Sequence, residues 1–293
     1  MSLTEKNSKH TNLEKKSTID LLKIINDEDR KVVPAISRAI NSIQKFIDQA
    51  YKRIKNNGRL FYIGSGTPGR LGIVDASECL PTFGVSNLII GIIAGGDSAI
   101  RNSKEGAEDD INKGWLDLCK YDISESDCVL GISSSGRTPY VVGALKKCQK
   151  KNIYTGLITS NINTNAEKFS DLTITTLLGP EVLTGSTRMK SGTAQKLILN
   201  MISTSLMIKI GKVKGNKMID MKLSNSKLKE RGIKFIVDEL KININDARKL
   251  IKKHGSVREA INNFNKNSSG GRTWTYDLRV MSPTSYQLLH PAI

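Results

Sequence analysis

The feature that most constrains the fold is an alternation. Five short apolar runs, "RLFYIG" (59–64), "NLIIGIIAG" (87–95), "CVLGISS" (128–134), "YTGLITS" (154–160) and "LTITTLL" (172–178), are separated by segments of helix length. Continuous apolar strands joined by helical crossovers predict a parallel sheet buried on both faces. The fold class is therefore α/β, a three-layer α-β-α sandwich with a five-stranded parallel sheet. Upstream, "IDLLKIINDED" and "VVPAISRAINSIQKFIDQAYKRIKNNG" carry apolar residues at three- and four-residue spacing and predict helices, the second closing on Asn57-Gly58 as a C-cap. Downstream, 186–212 reads as one long helix, 225–264 as three short helical patterns, and from about Lys266 periodicity is lost. Four parts follow: an N-terminal helical segment (1–56), the sheet domain (57–224), a small helical module (225–264) and an atypical, disordered tail (265–293).

With 293 residues, 38% of them apolar, the chain can fill the core of one large domain and a small appendage. No apolar run reaches 18 residues and the start, "MSLTEKNSKHTNLEKKSTID", is polar throughout, so no membrane partner and a cytoplasmic location are expected. Cys79, Cys119, Cys128 and Cys148 show no C-x-x-C pairing, which argues against both a zinc site and a disulfide framework. The formal net charge is +17, but the lysines are spread from Lys6 to Lys266 without a stripe or a nucleic-acid motif. No nucleic-acid partner is expected; a diffuse positive field favours capture of a small anion instead.

Open parallel sheets bind ligands beyond the carboxyl ends of their strands. Here those ends run into Gly64-Ser65-Gly66-Thr67, Gly95-Gly96-Asp97, Ser133-Ser134-Ser135-Gly136-Arg137-Thr138 and Gly179-Pro180-Glu181, which should converge on one pocket. Gly64-x-Gly66-x-x-Gly69 has the spacing of a dinucleotide turn, but the second strand ends at Gly95-Gly96, and Asp97 is too distant in sequence to be the ribose-binding acid of a compact unit. The hydroxyls of "SSSGRTP" suit the three oxygens of a terminal phosphate, or else Ser134 and Ser135 only cap the next helix. Glu78, Glu105 and Glu108 can divide acid and base roles if they meet at that pocket, or can be solvated surface charges. His10, His254 and His290 lie away from the strand-end loops, which argues against a Ser-His-Asp triad. The start of the long helix, with Ser186, Thr187 and Lys190, suits an anion at a helix N-terminus.

Taken together, "LTEKNSKHT", "INDED", "GSGTPGRLGIVDASECLPTFG", "IAGGDSAI", "EGAEDD", "SSGRTPYV" and "GPEVLTGSTRMKSGTAQKLILNMISTSLMIKIGKV" resemble the N-acetylmuramic acid 6-phosphate etherase family, a branch of the SIS (sugar isomerase) phosphosugar-binding fold. The resemblance spans roughly residues 3 to 264. It implies cleavage of the lactyl ether by water, giving N-acetylglucosamine 6-phosphate and D-lactate, in peptidoglycan recycling, with no cofactor or metal and with a homodimeric assembly whose sites lie near the subunit interface. By resemblance Glu78 matches the family's acid/base glutamate and Glu108 its second catalytic glutamate. Ser65, Thr67, Ser134, Ser135, Thr138, Ser186, Thr187 and Lys190 would contact the phosphosugar, and 225–264 resembles a UBA-like element. Two departures stand out. Pro68 replaces the serine of the usual G-T-S-G-R, removing a hydroxyl and an N–H, and the tail resembles a truncation, frameshift or artificial extension. The rival readings are a non-catalytic sugar-phosphate regulator, whose relatives carry two tandem sugar-binding domains, and a phosphosugar isomerase, which needs no acid aimed at a C3 ether.

Overall fold

The computed structural model describes residues 2–268, which divide into one compact unit ending at Lys222 and a second beginning at Leu223. Short 3-10 turns at Leu3–Glu5 and Leu13–Lys15 lead into α1 (Thr18–Asp29) and α2 (Val32–Lys55). The Ser17 hydroxyl caps α1 by accepting the Asp20 N–H at 3.3 Å. Then come β1 (Leu60–Gly64), α3 (Gly66–Phe83), β2 (Ile89–Ile93), α4 (Ser98–Arg101), α5 (Lys113–Cys119), β3 (Cys128–Ile132) and α6 (Pro139–Lys150). The unit closes with β4 (Tyr154–Thr159), β5 (Leu172–Thr175), α7 (Lys190–Lys209) and a two-stranded hairpin of β6 (Val213–Lys214) and β7 (Lys217–Met218).

All five runs form strands, and the five-stranded sheet is parallel throughout in the order β2-β1-β3-β4-β5. Alternation of side chains along a strand divides the core in two. Leu60, Tyr62, Leu130 and Ile158 face α2, α3 and α7, packing with Phe46, Ile198 and Leu199. Phe61, Ile63, Val129 and Leu157 face the other way, against Leu118 of α5 and Tyr140, Val141 and Leu145 of α6. Full burial of one such side chain contributes about 2 kcal/mol, so the sandwich closes on both faces as the uninterrupted apolar runs require. The chain leaves β1 toward β2 and returns on the far side of β1 to β3, which opens a crevice between the carboxyl ends of β1 and β3.

The second unit contains α8 (Ser226–Leu240), α9 (Ile244–His254) and α10 (Val257–Ser268). Asn225 and Asn243 cap the first two by accepting the N–H groups of Leu228 and Asp246, and Gly255 ends α9 in the left-handed region. Gly232, Ile236, Ala247, Val257, Ala260 and Ile261 are buried. α10 runs four residues past the predicted end of the module at 264; from residue 269 the predicted tail lies outside the described residues. The long helix also differs from its prediction, starting at Lys190 rather than 186. Among the described residues no helix is long and apolar enough to cross a membrane. The four cysteines are free, and only Cys119 is exposed.

Candidate active site

The first loop is shaped by close approach. A Cβ on Gly64 would lie 2.7 Å from the Gly69 nitrogen, one on Gly69 would lie 2.6 Å from Ile93 Cγ1, and Gly66 has φ +56°. The GxGxxG spacing therefore seats α3 hard against β1 and turns the chain at its start, the same requirement that a dinucleotide turn imposes. The positive end of α3 then opens on the crevice.

The second loop is held by its own hydroxyls. Ser133 Oγ lies 2.8 Å from Thr138 Oγ1 and accepts the Gly136 N–H at 3.0 Å. Thr138 stands at the N-cap of α6 without a side-chain capping bond. Ser134 Oγ accepts from Gln195 Nε2 at 2.8 Å and Ser135 Oγ accepts the Arg137 N–H at 3.2 Å, so neither serine caps the helix. Two helix starts and a row of hydroxyls thus face one cavity of about 400 Å³.

Of the predicted residues, Ser65, Thr67, Ser134, Ser135, Thr138, Thr187 and Glu108 line that cavity together. Pro68 lines it as well. Glu108 is brought there by its backbone: its carbonyl accepts the Tyr140 N–H in the first turn of α6, at 3.0 Å. Tyr140 is fixed in turn by donating its hydroxyl to Asp117 Oδ2 at 2.9 Å. Burial works against charge on Asp117, but hydrogen bonds from Lys120, Lys113 and Tyr140 prevail and hold its carboxyl below the usual range.

Three predicted residues stand elsewhere. Glu78 is exposed on α3, twelve residues beyond Gly66. At 1.5 Å per residue that is roughly 18 Å along the helix from the cavity; within one chain it does not join Glu108. Ser186 is engaged in a turn, donating its N–H to the Leu183 carbonyl and accepting the Met189 N–H, and does not line the cavity. Lys190 is 1% exposed, and its ammonium is bound to Glu28 Oε2 at 2.5 Å and to the carbonyls of Leu178 and Pro180. The start of α7 is already occupied by an anion of the protein itself. Glu181 is buried and accepts the Lys190 and Ser191 N–H groups at 3.0 and 2.9 Å. Hydroxyls and a lysine at a helix start suggest an external anion, but here the dipole is satisfied from within.

Glu28 joins His10, Lys31 and Lys190. Burial opposes its charge, but hydrogen bonds from Lys190, Lys31 and His10 overcome that and hold its carboxyl at about 2.

Glu5, absent from the predicted site, also lines the cavity. It is delivered by the N-terminal segment, which is pinned where the Asn161 side chain accepts the Leu3 N–H at 2.6 Å and donates to both Thr4 Oγ1 and the Ser134 carbonyl. Nothing in a polar, aperiodic stretch signals such a tether. Ser133 and Arg137, which lie in the second loop but outside the predicted site, line the cavity too. Among the described residues no cluster of His, Cys, Asp and Glu could hold a metal ion.

A hydroxyl-lined crevice at the switch point of a five-stranded parallel sheet defines an SIS-type α/β domain. Family models agree: that of the glucokinase regulatory protein N-terminal SIS domain matches residues 40–149, and that of the SIS domain matches 117–205. A phosphoheptose isomerase from Francisella tularensis shares the fold, with a TM-score of 0.50 at 13% identity over 66% of this chain and 100% of that one. Sequence comparison goes further. An N-acetylmuramic acid 6-phosphate etherase from Christiangramia forsetii is 54% identical over 259 residues, 88% of this chain and 94% of that protein. One from Bacteroides thetaiotaomicron is 48% identical over 270 residues, 92% and 98% of the two chains. The chain belongs to the N-acetylmuramic acid 6-phosphate etherase family.

Proposed function

We propose that the protein cleaves the lactyl ether of N-acetylmuramic acid 6-phosphate with water, releasing D-lactate and N-acetylglucosamine 6-phosphate in peptidoglycan recycling. The observation that carries this reading is Glu108 standing on the same cavity as the phosphate-sized hydroxyl cradle of Ser65, Thr67, Ser134, Ser135, Thr138 and Thr187, in a chain with the family membership above. The phosphate sits between the starts of α3 and α6, where the loop hydroxyls and both helix dipoles favour a dianion. With the sugar opened to its aldehyde, the C2 proton is labile; Glu108 takes it while the C3–O bond breaks. Glu78 protonates the departing lactate oxygen, then takes a proton from the water that adds to C3, and the C2 proton is returned. No atom or electron is left over, so the route needs no redox partner.

Glu78 is exposed and remote from the cavity of its own chain. It takes part if it is supplied across the interface of a homodimer, which we propose as the working assembly, in the cytoplasm. Residues 57–224 then form the phosphosugar-binding domain behind the N-terminal helical segment 1–56. The three helices α8 to α10 correspond to the UBA-like module.

The test is turnover of N-acetylmuramic acid 6-phosphate in oxygen-18 water. D-lactate should appear unlabelled and the label should enter the sugar at C3; label in lactate would mean that another bond breaks. Glu78→Gln and Glu108→Gln should each lower lactate release by roughly 10²- to 10⁴-fold while phosphosugar binding persists. Normal turnover by both variants would sink the assignment.

A further inference from the structure

A second cavity, of about 320 Å³, adjoins the first and shares Ser65, Gly66 and Glu108 with it. Its other walls carry two cations, Arg70 from the first turns of α3 and Lys104 from the loop after α4. Arg70 is half-buried and oriented: its Nε donates to the Ile100 carbonyl at 2.9 Å. Its two terminal nitrogens meet no acceptor among the described residues, and no carboxylate there lies within ion-pair distance of it. A guanidinium anchored by Nε in a cavity wall, with both terminal NH₂ groups unengaged, is a fork that matches the two oxygens of a planar carboxylate.

We infer that this second cavity is the subsite for the lactyl carboxylate, gripped by Arg70. The inference rests on the etherase reading above. That substrate has two anionic ends, a phosphate and a lactyl carboxylate, and the ether to be broken lies between them. The two cavities reproduce that order. Hydroxyls and helix starts line the first, a guanidinium fork lines the second, and Glu108 stands on the boundary they share. Glu105 and Glu108 balance Arg70 and Lys104 in the second cavity, so it carries no surplus positive charge to attract a phosphate dianion. Selection falls to the geometry of the fork. Arg70 is a positioning and specificity residue: it holds the lactyl group with its ether oxygen toward the acid and discriminates against substrates whose carboxyl is amidated, as in a peptide-bearing sugar.

The test compares N-acetylmuramic acid 6-phosphate with its lactyl carboxamide, following D-lactate or D-lactamide release. The wild-type protein should prefer the free acid by about 10- to 100-fold in kcat/KM, the range of a charge-assisted hydrogen-bonded pair. Arg70→Gln should bring the two substrates to within about threefold of each other by losing activity on the acid alone. Arg70→Lys, which keeps the charge but not the fork, should fall between. Inhibition by N-acetylglucosamine 6-phosphate, which lacks the lactyl group, should be unchanged in Arg70→Gln and serves as the control for folding. An unchanged acid preference in Arg70→Gln, or equal losses on both substrates, overturns the inference while the etherase reading stands. No lactate release from the wild type would remove both.

Discussion

Pro68 stands where the sequence resemblance leads one to expect a serine. It occupies the third position of α3, where no intrahelical bond needs its N–H, so the helix tolerates it. The loss falls on the proposed ligand: Pro68 lines the cavity with neither a hydroxyl nor a backbone donor. Pro68→Ser should therefore lower KM for the phosphosugar by about 3- to 10-fold, the worth of one added hydrogen bond, with kcat little changed. Steady-state kinetics at fixed ionic strength would show it, and an unchanged or raised KM would mean that Pro68 does not face the phosphate. At this scale the sequence was most misleading at Lys190, which is paired with a carboxylate 162 positions away. Hydroxyls beside it suggested a ligand site, whereas only the packing of α7 onto α1 shows that its charge is consumed inside. Glu5 was missed for the complementary reason, since a tertiary tether rather than any local pattern brings it to the cavity.

At the scale of elements the sheet was legible because burial on both faces writes itself as uninterrupted apolar text, and each of the five runs became a strand. The pocket loops were legible in part. Of the four strand-end loops expected to converge on one pocket, those after β1 and β3 line the cavity; Gly96 and Asp97 line a different one, and Glu181 of the loop after β5 is turned inward onto the start of α7. The route of Glu108 to the cavity was not legible. It depends on the segment between α4 and α5 packing against α6, a contact made by the Tyr140 N–H bond to the Glu108 carbonyl and permitted by the absence of a side chain at Gly143. A methyl group on Gly143 would stand 1.6 Å from the Ile111 carbonyl oxygen, an overlap that only displacement of the loop can relieve. Gly143→Ala is already acceptable to an α-helix, so its effect should appear in the loop rather than in α6. The expected outcome is a fall in kcat of about 10²-fold, the cost of misplacing a catalytic group by some 1 Å, with inhibition by the product phosphosugar changed less than threefold. Equal losses in kcat and in product binding would show that the whole pocket had collapsed.

Across the whole unit, the N-terminal segment, α1, the residue that leads into α2 and the start of α7 are joined at one ionic centre built on the buried pair Glu28–Lys190. His10, Lys31 and Lys190 converge on Glu28, which is 6% exposed. A buried charge cluster of this kind contributes little over an apolar substitute but is costly to break, because the survivor is left unpaired. Glu28 has its carboxyl depressed from 4.5 to about 2 in the folded state. The folded protein therefore binds this proton more weakly than the unfolded chain, and the group contributes stability in full above pH 4.5, losing it as pH falls toward 2. The shift corresponds to on the order of 3 kcal/mol at neutral pH. Other groups titrate in the same window: Asp117 and Asp127 act in the same direction, while Asp75, raised chiefly by burial, acts in the opposite one. A difference measurement isolates Glu28, since distant contributions cancel between two proteins that differ at one site. Urea unfolding should find Glu28→Gln less stable than wild type by about 3 kcal/mol at pH 6, because the buried Lys190 loses its carboxylate partner and retains only the Leu178 and Pro180 carbonyls. That gap should shrink by roughly half by pH 3, where the wild-type carboxyl is itself becoming protonated in the unfolded chain. A gap that stays constant from pH 6 to pH 3 would show that Glu28 titrates normally in the folded protein, and that the bond to Lys190 is not what ties the start of α7 to the N-terminal helices.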